Sequence, residues 1–231
     1  MNQITLRFRP DGLFRILQLT DMHLADVAGR DAVLLSCVPE LIRREKPDLI
    51  ALTGDIACDG SAEHMIEQFT ALYNVMAPFG IPITMTLGNH ESDGFDVASG
   101  RQYPLAEALE ALPLCLFERG PAELGTGNYA LPVYPHDGGD KPAWMLYHLD
   151  CHASRPYRTG ESGTVTSDAY IWPAQIDWLK QTHTALQAAY GAVPSILFDH
   201  VPLPEFNDVW MFEGLSGDHG EKVCCAPVNS G

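Results

Sequence analysis

The chain has 231 residues, of which 46% are hydrophobic, 9% aromatic and 19% charged. That composition excludes a disordered, collagen-like or low-complexity polypeptide, and the length suffices to bury roughly 70% of the unfolded surface. Asp and Glu number 30 against 14 Lys and Arg, a net charge of -16. This argues against nucleic acid and against a membrane as partners, because each neutralised phosphate needs a cation. A small phosphorylated substrate would need bound metal to offset the repulsion.

The first ten residues alternate Ile4, Leu6 and Phe8 in strand fashion and carry Arg7 and Arg9. They lack the apolar run and small-residue cleavage site of a signal peptide. No stretch approaches the roughly 18 apolar residues of a membrane span. Six cysteines (Cys37, Cys58, Cys115, Cys151, Cys224 and Cys225) form no CxxC pair and read as reduced thiols. The expectation is a cytoplasmic protein.

Segments 14–20, 48–53, 82–87, 143–149 and 195–198 are short, apolar and rich in Ile and Leu, which predicts buried strands. Between them, 31–46 shows helical spacing, with Pro39 predicting a kink or a late start. Ser61 is placed to cap a helix that ends near Pro78 and Gly80, and 104–112 is a shorter helix. A further helix runs from Pro173 to Tyr190 with Gly191 as terminator. Glycine and proline mark surface loops at 135–142 and 157–163. The last segment, 205–231, reads as loop. With no repeat and no linker, residues 1–231 form a single α/β domain.

Four of the predicted strands end in polar clusters: Asp21-Met22-His23, Gly54-Asp55, Gly88-Asn89-His90-Glu91 and Asp199-His200. Ligands of open α/β sheets sit beyond the carboxyl ends of strands, so these clusters should converge. Asp21, His23, Asp55, Asn89 and His200 are carboxylates, imidazoles and an amide without thiolates, a set suited to Mn, Fe or Zn and with room for more than one ion. In an extended segment Asp21 and His23 would point to the same side and chelate one ion. Each motif alone is matched by simple turn formation; four in order behind buried strands are not.

With these residues in view, the chain resembles the calcineurin-like metallophosphoesterases, through DxH, GD, GNHE and FDHVPLPE. The stretches FDHVPLPEF and APVNSG (226–231) are similar to the purple-acid-phosphatase-related branch. The resemblance implies a four-layer α/β sandwich with mixed sheets, holding two divalent metals about 3.5 to 4 Å apart. It implies Asp21 and His23 on the first ion, Asp55 bridging both, and Asn89 and His200 on the second. A metal-activated hydroxide would attack phosphorus in line, His90 would protonate the leaving oxygen and Glu91 would orient His90. The implied activity is hydrolysis of a phosphomonoester or phosphodiester.

Two departures stand out. Cys58 occupies the position of the tyrosine that colours purple acid phosphatases, so no charge-transfer colour is expected, and Cys58 reads as a small buried residue. The family's closing GHxH segment is absent from the sequence. The resemblance therefore implies a C-terminally incomplete domain without its last strands, short of one imidazole per ion; His219 is the single late histidine. The alternative function is a non-catalytic remnant that binds metal or phosphoester without turnover, and the charge disfavours a nuclease.

Asp150 and His152 follow a strand and could face the site or simply mark a polar strand end. His64, His136, His148 and His183 read as structural or surface, Cys224 and Cys225 as packing residues, and Trp210, Met211 and Phe212 as cleft cover or core.

Overall fold

A computed structural model describes residues 4–25, 29–58, 61–92, 102–152, 156–159, 164–167 and 171–203. The chain runs β1 (Leu6–Arg7), β2 (Ile16–Leu19), α1 (Arg30–Glu45), β3 (Leu49–Thr53), α2 (Ala62–Met76), β4 (Ile83–Thr86), α3 (Asn89–Ser92), α4 (Gln102–Ala111), β5 (Tyr129–Tyr134), β6 (Trp144–His148), β7 (Pro156–Thr159), β8 (Thr164–Ser167), α5 (Pro173–Tyr190) and β9 (Ser195–Phe198). The parallel sheet β2-β3-β4 faces a mixed sheet ordered β1-β5-β6-β9, and β7 and β8 form an antiparallel pair.

All five residues of β3 are buried because the strand has neighbours on both faces. Ile50 and Leu52 pack with Val38 and Ile42 of α1, Met65, Phe69 and Leu72 of α2, and Leu105 and Leu109 of α4. Leu49 and Ala51 face the other way, toward Leu6, Val133, Leu146 and Phe198 of the mixed sheet. On the far side of that sheet, Met145 and Tyr147 meet Trp178, Leu179 and Leu186 of α5. The layers are helix, sheet, sheet and helix, and each large apolar side chain buried this way contributes about 1.5 to 3 kcal/mol.

Local signals act where expected. The Ser61 hydroxyl accepts from the His64 amide at 3.3 Å and starts α2. Pro173 opens α5 at its first turn, and Gly191 at φ 74° closes it. Pro39 lies inside α1 without delaying the start at Arg30. Of the segment 157–163, expected as a loop, residues 157–159 belong to β7, which pairs with β8, and 160–163 lie outside the described residues. Strand β5 was not foreseen: it fills the place between β1 and β6. Cys37, Cys115 and Cys151 are free thiols, and Cys58 is buried, as expected. The segment 205–231, with Trp210, Met211, Phe212, His219, Cys224 and Cys225, lies outside the described residues.

Candidate metal centre

Strands β2, β3, β4 and β9 all deliver their polar clusters to one end of the sandwich. Beyond β2 the chain stays bonded to the segment after β3: the amides of Asp21, His23 and Leu24 donate to the carbonyls of Gly54, Asp55 and Ile56 at 3.0, 2.9 and 2.9 Å. The extended backbone expected to bring Asp21 and His23 to one side is not what does so. Both residues are left-handed, with φ of 52° and 48°, and Asp55 joins them at 51°. Such conformations are uncommon outside glycine and are retained where surrounding bonds fix them. Arg30 donates to the His23 carbonyl, and the Thr20 hydroxyl donates to Asp21 Oδ2 at 2.8 Å.

Asp55 is the centre of the site. Its Oδ1 accepts the His90 amide at 2.9 Å, which leaves Oδ2 for the side chains around it. His200 Nε2 lies 3.1 Å from Oδ2, His90 Nε2 3.8 Å and His23 Nε2 3.9 Å. The rings of His23 and His90 meet edge to face with centroids 5.0 Å apart. Asp21 Oδ1 stands 3.8 Å from His23 Nε2, so the two residues of DxH do face one another. Two triplets result, His23 with Asp55 and His90, and Asp21 with Asp55 and His200, each with ligand atoms within 4.8 Å of one another. Asn89 opens α3 between Gly88 and His90, half-buried.

Three loops approach this closely because two positions lack a side chain. A Cβ on Gly54, at φ 93°, would lie 2.6 Å from the His200 ring, and one on Gly88 would lie 2.2 Å from Asp55 Oδ1. Position is what marks both glycines in the sequence: each directly precedes an expected ligand, Gly54 before Asp55 and Gly88 before Asn89.

Electrostatics follow from this packing. Burial pushes the Asp55 carboxyl up, but the His200 hydrogen bond, the His90 amide and the charge of both imidazoles outweigh it and hold it below the usual carboxylate range. Burial by itself would neutralise His200; the hydrogen bond and charge of Asp55, with the Thr53 carbonyl and Asp21, lift it to about 9. His200 donates from Nδ1 to the Thr53 carbonyl at 2.9 Å. A backbone acceptor on one ring nitrogen is the arrangement that presents the other nitrogen to an ion. The donor set thus fits divalent cations, with oxygen and nitrogen ligands in each triplet and Asp55 in both.

Glu91, expected to orient the His90 ring, does something else. It is fully buried, and both its oxygens are taken by backbone amides: Oε1 by Ile56 and Ala57 at 2.7 and 3.0 Å, Oε2 by Asp55 and Gly88 at 2.9 and 2.7 Å. Burial, partly offset by these amides and reinforced by the charge of Asp55, raises its carboxyl to about 7.

Asp150 and His152, which the sequence left open, are both buried. Asp150 accepts from the amides of Thr126 and His152 at 2.9 Å each, and the His152 ring stacks on Trp172 at 3.7 Å. His148 is also interior, stacked between Tyr129 and Phe198, with Nδ1 2.9 Å from the Thr86 hydroxyl.

The family model for the calcineurin-like phosphoesterases matches residues 14–229. The chain belongs to this family. It is 29% identical to "Probable inactive purple acid phosphatase 29" of Arabidopsis thaliana over 98% of its own length and 64% of that protein. It is 28% identical to "Phosphatase DCR2" of Saccharomyces cerevisiae, over 86% of this chain and 36% of the yeast protein. The chain therefore spans about a third to two thirds of these relatives. Its fold is similar to that of a dimetal phosphatase from Danio rerio, with a TM-score of 0.53 at 14% identity over 83% of this chain and 71% of that one. No helix among the described residues is long and apolar enough to cross a membrane.

Proposed function

We propose that this calcineurin-like domain hydrolyses a small phosphomonoester or phosphodiester in the cytoplasm, with two divalent ions, Mn, Fe or Zn, held by its own side chains. The observation that carries the reading is the convergence of three imidazoles on Asp55 Oδ2, with Asp55 common to two carboxylate–imidazole triplets. In this reading Asp55 bridges, Asp21 and His23 serve one ion and Asn89 and His200 the other, a division that regroups the two triplets, which join His23 to His90 and Asp21 to His200.

When bound, such a pair of ions supplies the Lewis acidity that activates water and offsets charge on the phosphoryl oxygens. The remaining work belongs to the chain. His200 is locked by the Thr53 carbonyl with Nε2 toward the centre. His90, about a third exposed, is the imidazole placed to hand a proton to a leaving oxygen, and its backbone amide keeps Asp55 in register.

The second reading is a domain that binds metal or phosphoester without turnover. The word "inactive" in the name of the Arabidopsis relative favours it. One experiment separates the two. The purified full-length protein, loaded in turn with Mn, Fe or Zn, is assayed on nitrophenyl phosphate and bis-nitrophenyl phosphate beside Asp55→Asn. Turnover that Asp55→Asn abolishes supports hydrolysis; metal uptake without turnover on either ester supports the binding reading.

A further inference from the structure

We infer that Glu91 is the positioning residue of the metal centre, acting through backbone amides on Asp55 rather than on the His90 ring. The inference rests on the two-metal reading above. A fully buried carboxylate is costly unless its lone pairs are satisfied. Here the partners are four amides from two different loops, at 2.7 to 3.0 Å.

Three of those amides are consecutive, Asp55, Ile56 and Ala57. For three successive N–H groups to turn toward one carboxylate the chain must curl, and it does so with Asp55 at φ 51°. That curl sets where the Asp55 side chain leaves the backbone. The fourth amide, Gly88, belongs to the loop that carries Asn89 and His90. One side chain therefore fixes the separation of the β3 and β4 loops. The same junction is closed from the other side by the His90 amide on Asp55 Oδ1.

The chemistry requires a carboxylate. Each oxygen receives two donors. A glutamine has one acceptor oxygen, and its NH2 group would confront two N–H donors. An aspartate keeps both oxygens but withdraws them by one methylene, about 1.5 Å.

The test compares wild type, Glu91→Gln and Glu91→Asp, with Leu72→Ala as a stability control. Leu72 is fully buried in the helix-side core, and its truncation should lower the melting temperature without touching the loops. Two quantities are read: Mn affinity by calorimetric titration at a temperature where each variant is folded, and the amide proton shifts of Asp55, Ile56, Ala57 and Gly88. In Glu91→Gln both Mn equivalents should bind at least about 10-fold more weakly, as outer-shell substitutions do, and the four amide protons should move upfield. Leu72→Ala should keep wild-type affinity. Glu91→Asp should fall between, and it carries the test if Glu91→Gln does not fold. Wild-type affinity in the folded Glu91 variants, or equal weakening in Leu72→Ala, overturns the positioning role. Failure of wild type itself to bind Mn, Fe or Zn overturns the two-metal reading and this inference with it.

Discussion

His200 Nε2 lies 3.1 Å from Asp55 Oδ2 while its Nδ1 reaches the Thr53 carbonyl at 2.9 Å, so one imidazole ties the carboxyl end of β9 to that of β3 in the other sheet. The site is therefore assembled across the sandwich, and its geometry depends on how closely the two sheets meet at this end. Gly54 sits directly beneath the His200 ring, where any side chain would separate them.

His90 should separate substrates by leaving group. His90→Asn is expected to cost about 10²-fold in rate on alkyl phosphates, whose leaving oxygen needs a proton, and much less on nitrophenyl esters. Rates measured across a series of leaving-group pKa values check this. A uniform loss across the series would instead assign His90 to binding or to metal ligation.

The closeness of the β4 loop to Asp55 makes Gly88 sensitive. In Gly88→Ala the new Cβ would stand 2.2 Å from Asp55 Oδ1, so either the carboxylate or the loop must move. The expected result is a loss of about 1 to 3 kcal/mol in stability together with weaker metal binding. Thermal melts with and without metal measure both. An alanine variant with wild-type stability and metal content would mean that the loops are not packed as described.

His148 makes a pH-dependent contribution. Burial depresses its imidazole from 6.5 to about 3. The folded state therefore binds fewer protons than the unfolded state between these values. Stability is complete above the unfolded value and declines as pH falls from about 6.5 toward 3, with a slope approaching about 1.4 kcal/mol per pH unit. Replacing the ring by phenylalanine keeps the stack with Tyr129 and Phe198 and removes the titrating group. Urea melts between pH 7 and pH 4 should show the stability difference between wild type and His148→Phe shifting in favour of the variant as pH drops. A constant difference would contradict the assignment.

The strands that build the site were legible because each is a short apolar run buried on both faces and followed by polar residues; β3, LIALT before Gly54-Asp55, is the plainest case. Strand β5 was hidden because YALPVY contains proline and no alternation, and its place depends on distant β1 and β6. The pair β7 and β8 lies in a stretch of Gly, Thr and Ser that carries turn signals and little apolar patterning. The expected ligand set of Asp21, His23, Asp55, Asn89 and His200 follows from strand ends converging; the structure brings four of these together with His90, which the resemblance gives to proton transfer. The role of Glu91 was not legible. Adjacency to His90 suggested a contact, yet neighbouring residues in a helical turn point in different directions. Three of its four partners lie 34 to 36 residues away, in the loop after β3, and the fourth, Gly88, three residues before it.

The central claim is that Asp55 joins two ions through one carboxylate. Electron paramagnetic resonance of the protein titrated with Mn tests it directly, because two manganese ions sharing a bridging ligand are spin-coupled. The account predicts a coupled signal that saturates at two equivalents in wild type and is lost in Asp55→Asn. An uncoupled signal that saturates at one equivalent in wild type, or a coupled signal retained in Asp55→Asn, would contradict it.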